Sequence, residues 1–267
     1  MALTASARQL SQRVLSIPAE EARMADPRKI MEGTGYHPFR FGRDNVIFIK
    51  GTTSELGQED IEALNAEADT SEFSKNRLVK SDIAGALKNH FHDKAVKVFE
   101  MGCGAYPIMP YLSDDMDATY HGIDRDKHCV ETVMEKGYEA SGWNVLKAPG
   151  HEEGRTSVCV SVYALHFMVQ ENIASRIKTL TTDGGFFVGN FYSDPNEVRT
   201  HEQRDKLKDI LTEKGMNFMT LADPACRANE YWIISAPGDQ GEIHGFANAL
   251  KSNILRNRSS GPSAAPV

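Results

Sequence analysis

The chain has 267 residues, a formal net charge of −7 and a pI near 5.7, with 40% hydrophobic and 25% charged residues. These proportions are ordinary for a globular protein with a substantial core. The acidic balance argues against electrostatic binding to nucleic acid or to an anionic membrane surface. No apolar run approaches the roughly 18 residues that a membrane span needs. We therefore expect neither nucleic acid nor a membrane as a partner.

The four cysteines are scattered along the chain and include no Cys-x-x-Cys pair. This spacing predicts neither a disulfide framework nor a metal site. It is typical of a reduced chain in the cytoplasm. We therefore expect a cytoplasmic protein that holds no metal.

The region before residue 95 predicts a separate layer. Residues 1–16 contain two arginines, no acidic residue and apolar side chains at helical spacing, which predicts an amphipathic helix and also fits an organelle transit segment. Residues 39–41 and 46–49 predict a hairpin, and helices are expected at 58–68 and around 79–90. We expect residues 1–94 to form a helical and hairpin cap that covers a substrate.

From residue 95 onward, strands and helices alternate, which is typical of a parallel sheet with helices on both faces. The predicted strands cover residues 96–101, 121–124, 138–145, 157–163, 186–191, 217–221 and 231–235, and the predicted helices cover 171–180 and 197–214. The fold class is therefore α/β, with a Rossmann-like, doubly wound, mostly parallel seven-stranded sheet in residues 95–237. Residues 238–267 are expected to form a C-terminal extension whose small, polar end, from residue 257, is disordered.

A Gly-x-Gly turn follows the first of these strands. The strand ends in Glu100, and Gly102 and Gly104 then allow the backbone to approach a ligand closely. Asp124 ends the second strand, where nucleotide-binding folds place the acid that accepts hydrogen bonds from ribose hydroxyls. The pattern predicts a nucleoside ligand. The Tyr-Pro pair at 106–107 crowds the place of a pyrophosphate, which argues against a dinucleotide.

The order of these segments resembles that of class I S-adenosylmethionine (SAM)-dependent methyltransferases, over residues 95–237. In that family the first strand ends in an acidic residue followed by Gly-x-Gly-x-Gly, and here Tyr106 replaces the third glycine. Residues 144–149 resemble the family's segment that contacts adenine, with asparagine in place of aspartate. Residues 157–168, ending in Ala-Leu-His-Phe-Met, resemble its fourth strand, and residues 180–185 resemble its Leu-x-Pro-Gly-Gly turn without the proline.

The resemblance implies that SAM is the cofactor and S-adenosylhomocysteine (SAH) the product. The implied cofactor-binding residues lie in the turn and at the strand ends: Glu100, Gly102, Cys103, Gly104, Asp124, Arg125, Trp143, Asn144, Val145 and Ser161. The candidate catalytic residues are Tyr163, His166, Asn190 and Tyr192. Tyr163 would contact the sulfonium, Asn190 would contact the acceptor or the SAM tail, and Tyr192 would form part of an aromatic wall. His166 would act as a general base, although capping the next helix or packing beside SAM fits it better.

These residues together imply a SAM-dependent transferase. The expected activity is biosynthetic methyl transfer to a small-molecule acceptor by in-line displacement. One alternative transfers or cyclises the aminocarboxypropyl group and releases methylthioadenosine, and a second is a non-catalytic SAM-binding scaffold. Methylation of nucleic acid or protein is disfavoured because no basic stripe or Asn-Pro-Pro-aromatic motif is visible. The sequence predicts neither the acceptor nor the oligomeric state.

Overall fold

The structure is a computed structural model that describes residues 6–24, 26–41, 44–67, 74–112, 116–142, 144, 146, 156–192, 198–238 and 240–259. The chain divides into two compact units, Met1–Lys75 and Asn76–Val267. No helix among these described residues is long and apolar enough to cross a membrane.

The N-terminal unit contains a four-stranded antiparallel sheet with the order β1-β2-β4-β3. Its strands are β1 (Arg8–Gln9), β2 (Val14–Pro18), β3 (Tyr36–Phe41) and β4 (Asn45–Lys50), and its helices are α1 (Ala19–Met24), α2 (Pro27–Ile30) and α3 (Gln58–Ala66). Side chains from β2 and β4, including Leu15, Ile17 and Phe48, form its core.

Two expectations for this unit have different outcomes. The hairpin is confirmed, since β3 and β4 pair in antiparallel register. The amphipathic helix expected in residues 1–16 is wrong for the part that the structure describes, because β1 and β2 are strands. Val14, Leu15 and Ile17 favour the pleated surface of a sheet, and their pairing with β4 overrides the helical spacing.

The C-terminal unit contains a seven-stranded sheet with the order β10-β11-β9-β8-β5-β6-β7. Its strands are β5 (Val96–Met101), β6 (Ala118–Asp124), β7 (Ala140–Gly142), β8 (Thr156–Ser161), β9 (Thr181–Tyr192), β10 (Asn217–Asp223) and β11 (Cys226–Ser235). The pairs from β7 to β9 are parallel, and β11 lies antiparallel to both β9 and β10. The predicted mostly parallel seven-stranded sheet is confirmed.

Helices cover both faces of this sheet, as a doubly wound fold requires. They are α4 (Ser74–His90), α5 (Lys127–Glu135), α6 (Ile173–Leu180), α7 (Val198–Glu213) and α8 (Gln240–Ser259). One buried cluster joins apolar residues of α4 and α8 to the sheet, and another joins residues of α6 and α7 to its opposite face. Because α4 belongs to this core, the division at Lys75 comes earlier than the expected boundary at residue 94.

Helix α8 occupies most of the region that was expected to be an extension. Ile243, Phe246, Leu250 and Ile254 are buried at helical spacing on one face. Residues 257–259, expected to lie in the disordered end, form the last turn of this helix. Their polar composition predicted disorder, but the side chains of Asn257 and Arg258 bond to Asp82 and Asp223, which are distant in sequence.

The sheet order places a topological switch point between β5 and β8. The chain runs outward from β5 through β6 to β7, and then returns to the other side of β5 as β8. In open α/β sheets, ligands bind outside the carboxyl ends of the strands at such a point. The segments that follow β5, β6, β8 and β9 therefore define the candidate site.

Candidate functional site

The turn after β5 uses two glycines in different ways. Gly102 and Gly104 have φ angles of +73° and +58°, in the left-handed region that favours glycine. A Cβ atom added to Gly102 would lie 2.4 Å from Cβ of Ala164, in the segment after β8. A Cβ atom on Gly104 would meet no atom of the described residues within 4 Å. Gly102 thus packs the two segments together, whereas Gly104 leaves open space beside its backbone.

The carboxylate of Asp124 joins the end of β6 to this turn. One oxygen accepts a hydrogen bond from the Gly104 N–H at 2.9 Å, and the other accepts from the Asp126 N–H at 2.9 Å. Burial raises the pKa of Asp124, although these two bonds act in the opposite direction. A carboxylate has about four acceptor positions, so Asp124 keeps acceptor capacity for ligand hydroxyl groups.

Glu100 is completely buried beneath the turn. Its oxygens accept hydrogen bonds at 2.8 Å from Lys80 Nζ, from the Ile108 N–H and from the Tyr120 hydroxyl. These contacts are those of a residue that orients the turn. Because Glu100 is completely buried, it offers no exposed oxygen to the ammonium group of a ligand.

Lys80 was not predicted as a site residue. It lies buried on α4, where Nζ contacts Glu100 and donates to the main-chain carbonyl oxygens of Tyr106 and, at 3.4 Å, Cys103. Lys80 therefore ties the last residues of β5, through Glu100, to the turn that follows, through Cys103 and Tyr106. The sequence did contain a signal, since Lys80 shares the apolar helical face of Ile83 and Leu87.

The segment after β8 contains a backbone outlier. Tyr163 has a φ of +55°, which costs about 1–2 kcal/mol for a residue with a side chain. Its N–H donates to Oδ1 of Asn190 at 2.7 Å, and Asn190 is completely buried near the end of β9. The rings of Tyr163 and Tyr192 lie 6.2 Å apart. The structure thus brings three of the four candidate catalytic residues together at the carboxyl edge.

His166 lies in a 3₁₀ turn, Leu165–Phe167, and is buried. Its ring packs beside those of Phe167 and Phe191, with centroids at 4.3 and 6.1 Å. Burial lowers the pKa of His166 to about 4, so the imidazole is neutral at physiological pH. A base of that strength accepts a proton weakly, and these surroundings suit the packing role better than general-base catalysis.

The remaining candidates lie on the strands and connections around the turn. Cys103 is buried, and burial raises the pKa of its thiol, so that the thiolate is disfavoured. Ser161, at the end of β8, is completely buried, and its Oγ contacts no hydrogen-bonding partner in the described part of the chain. Arg125 is half-buried directly after Asp124.

The expected adenine contacts are only partly visible. Asn144 is half-buried, and its Oδ1 accepts a hydrogen bond from the Leu146 N–H at 3.1 Å. Trp143 and Val145 lie outside the described residues. The weak strand expected at residues 138–145 is present as β7.

No protein-family model and no curated protein matches the chain. Among solved structures, it is similar to the plantazolicin methyltransferase BpumL in complex with SAH, at 13% identity and a TM-score of 0.49 over 79% of this chain and 89% of that chain. It is also similar to a putative SAM-dependent methyltransferase from Methanococcus maripaludis, at 17% identity and a TM-score of 0.47 over 72% and 96% of the two chains. A TehB-like SAM-dependent methyltransferase from Corynebacterium glutamicum matches at 15% identity and a TM-score of 0.42, over 63% and 88%.

Proposed function

We propose that this chain is a SAM-dependent methyltransferase that acts on a small-molecule acceptor. The observation that carries the proposal is the bond between the Gly104 N–H and Asp124, beside open space at the carboxyl ends of β5 and β6. A glycine backbone and a carboxylate that meet at this edge suit a ligand with a ribose and a short polar tail.

The surrounding residues fit SAM by their chemistry. Asp124 would accept hydrogen bonds from the two ribose hydroxyl groups, and Gly104 would leave room for the amino-acid tail. The amide of Asn144 would face the adenine amino group. When bound, SAM supplies a methyl group on a cationic sulfonium.

The protein's own contribution to methyl transfer would be positioning. The paired rings of Tyr163 and Tyr192 offer aromatic faces to a cationic sulfonium, a contact worth about 0.5–2 kcal/mol. Burial lowers the pKa of His166 to about 4, so this histidine is a weak base for removing a proton from the acceptor. We therefore infer that the acceptor atom is a nucleophile that does not depend on this histidine. The acidic surface favours a small molecule over nucleic acid.

Calorimetry with SAH tests the cofactor, with NAD and ATP as controls. We expect saturable binding of SAH and no binding of either control. Both control ligands carry a diphosphate or triphosphate, and we expect the Tyr-Pro pair at 106–107 to crowd the place of such a group. The Asp124→Ala variant provides the matched negative control. Equal binding of NAD, or unchanged SAH binding by the variant, would contradict the proposal.

Incubation with SAM alone and with pooled small-molecule acceptors then tests the reaction. Formation of SAH that depends on an acceptor supports methyl transfer. Formation of methylthioadenosine without an acceptor would instead assign aminocarboxypropyl chemistry. Binding of SAH without turnover of any acceptor, including oligonucleotides and peptides, would assign a non-catalytic role.

A further inference from the structure

A buried polar chain connects the last turn of helix α8 to the Tyr163 turn. Arg258 donates to Asp223 at 2.8 Å, Asn229 donates to Asp223 at 3.1 Å, Asn190 donates to Asn229 at 2.6 Å, and Asn190 accepts from Tyr163 at 2.7 Å. We call the side chains of Arg258, Asp223, Asn229 and Asn190 the amide relay. Three of the four are at most 5% exposed.

The relay has a fixed direction. Asp223 at one end can only accept hydrogen bonds, and the Tyr163 N–H at the other end can only donate. Asn229 must therefore turn its NH₂ group toward Asp223 and its oxygen toward Asn190. Asn190 must in turn point its NH₂ group at Asn229 and its oxygen at the Tyr163 N–H. The two ends of the relay thus require the same orientation of both amides, and ionised Asp223 supports the orientation that the Tyr163 N–H needs.

Arg258 keeps Asp223 ionised. Burial would raise the pKa of Asp223, but hydrogen bonds from Arg258, Ala225 and Asn229 lower it below its ordinary value. Arg258 also donates to Asp82 of α4 at 2.8 Å, and Asp82 accepts from Tyr231 at 2.5 Å. This second arm ends at Asp82, whose other partners, Tyr231 and Asn257, are not members of the relay.

We infer that Arg258, Asp223 and Asn229 are positioning residues, which hold Tyr163 in its left-handed conformation through Asn190 and so set the carboxyl edge for the cofactor. This inference rests on the proposed function, because it assigns the edge to SAM. If Asn190 lost its bond to Asn229, its amide could rotate away from the Tyr163 N–H. The Tyr163 turn would then be free to relax from a φ of +55°. Helix α8 would then contribute to the site, because it supplies Arg258 of the amide relay.

The test compares Asn229→Leu with Asp82→Asn. Asn229→Leu keeps the branched skeleton of the side chain but not its hydrogen-bonding groups, so it breaks the relay on both sides of residue 229. Asp82→Asn removes a charge from the other arm of Arg258 and leaves the relay complete. Both variants are expected to lower the melting temperature. Only Asn229→Leu is expected to weaken SAH binding, by about tenfold, the effect of one hydrogen bond. If Asn229→Leu does not fold, Asn229→Ala replaces it.

Hydrogen exchange supplies a readout that does not depend on the cofactor. In Asn229→Leu we expect faster exchange in peptides that contain the Tyr163 amide, and in Asp82→Asn faster exchange in α4 and α8 instead. Equal effects of the two variants on SAH affinity, or unchanged exchange at Tyr163 in Asn229→Leu, would overturn the inference. So would faster exchange at Tyr163 with unchanged SAH affinity. If the wild-type protein binds no SAH, the proposed function fails, while the exchange contrast still decides whether the relay holds the turn.

Discussion

Gly102 and Ala164 lie in contact where the segments after β5 and β8 meet, at the switch point of the sheet. A Cβ atom on Gly102 would stand 2.4 Å from Cβ of Ala164, closer than any ordinary carbon contact. The φ of +73° at Gly102 adds a second reason for glycine. The contact explains why the first glycine of the turn cannot be replaced without moving the neighbouring segment.

This contact predicts a partial rescue. Gly102→Ala should weaken SAH binding by at least tenfold, because relief of the clash moves the turn or the Tyr163 segment. The double variant Gly102→Ala with Ala164→Gly removes the clash but keeps the strain of a positive φ, about 1–2 kcal/mol. We expect it to recover part of the affinity in calorimetry. No recovery at all would mean that backbone strain alone, rather than the contact, excludes alanine.

Gly104 offers the matched comparison for that prediction. Its added Cβ atom meets nothing in the described part of the protein, so Gly104→Ala adds strain but no internal clash. We expect a small change in the free energy of unfolding, about 1 kcal/mol, together with a clear loss of SAH affinity. An unchanged affinity would show that the open space beside Gly104 is not the cofactor site.

Asp124→Asn should reduce SAH affinity by about 10- to 100-fold. The carboxylate would make charge-assisted hydrogen bonds with ribose hydroxyl groups, each worth about 1.5–3 kcal/mol, and an amide makes weaker ones. Calorimetry of both proteins at neutral pH measures the difference. Circular dichroism of the variant serves as the control for folding.

The same residue predicts a pH dependence of binding. Because burial raises the pKa of Asp124 above its ordinary 3.8, protonation begins at a higher pH than for an exposed aspartate. Only the ionised form accepts from both hydroxyl groups. SAH affinity should therefore fall as the pH is lowered toward 4, and the fall should be absent in Asp124→Asn. An equal fall in both proteins would assign the dependence to another group.

Lys80→Met should destabilise the fold by about 3–5 kcal/mol, because it leaves the buried Glu100 carboxylate without its cation. Urea unfolding monitored by circular dichroism measures this loss. Adding Glu100→Gln should restore part of the stability, since glutamine still accepts from Ile108 and Tyr120. Additive losses in the double variant would contradict a direct ion pair.

His166 predicts a loss of stability in mild acid. Its pKa falls from 6.5 in the unfolded chain to about 4 in the folded protein, so the unfolded state binds the proton first. Above about pH 6.5, His166 is neutral in both states and does not lower the free energy of unfolding. Between about pH 6.5 and pH 4, protonation of the unfolded chain lowers that free energy by about 3 kcal/mol. His166→Phe should lack this component in denaturant titrations across that range. The His166→Phe variant should also retain SAH binding. A loss of binding would mean that His166 contacts the cofactor.

The local features of the chain were predictable from sequence because they follow from backbone periodicity. The apolar run of β5, the glycines of the turn and the position of Asp124 all lie within about 30 residues. The alternation of helices and strands implied a mostly parallel sheet, and the resemblance located the candidate site. The polar end of α8 was not recognised, because the helical periodicity is carried by four apolar residues that precede it. The polar side chains of its last turn, Asn257 and Arg258, bond to Asp82 and Asp223, which are distant in sequence.

The sequence by itself determined that two glycines and an aspartate would meet at the carboxyl edge of a parallel sheet, since strand alternation and turn chemistry are local properties. Only the tertiary structure decided what holds that edge in place. Lys80 meets Glu100, and Arg258 meets Asp223 and Asp82, across strands and helices that no spacing rule connects. A buried charge must find its partner wherever the sheet order places it, and that order forms only when the whole chain folds.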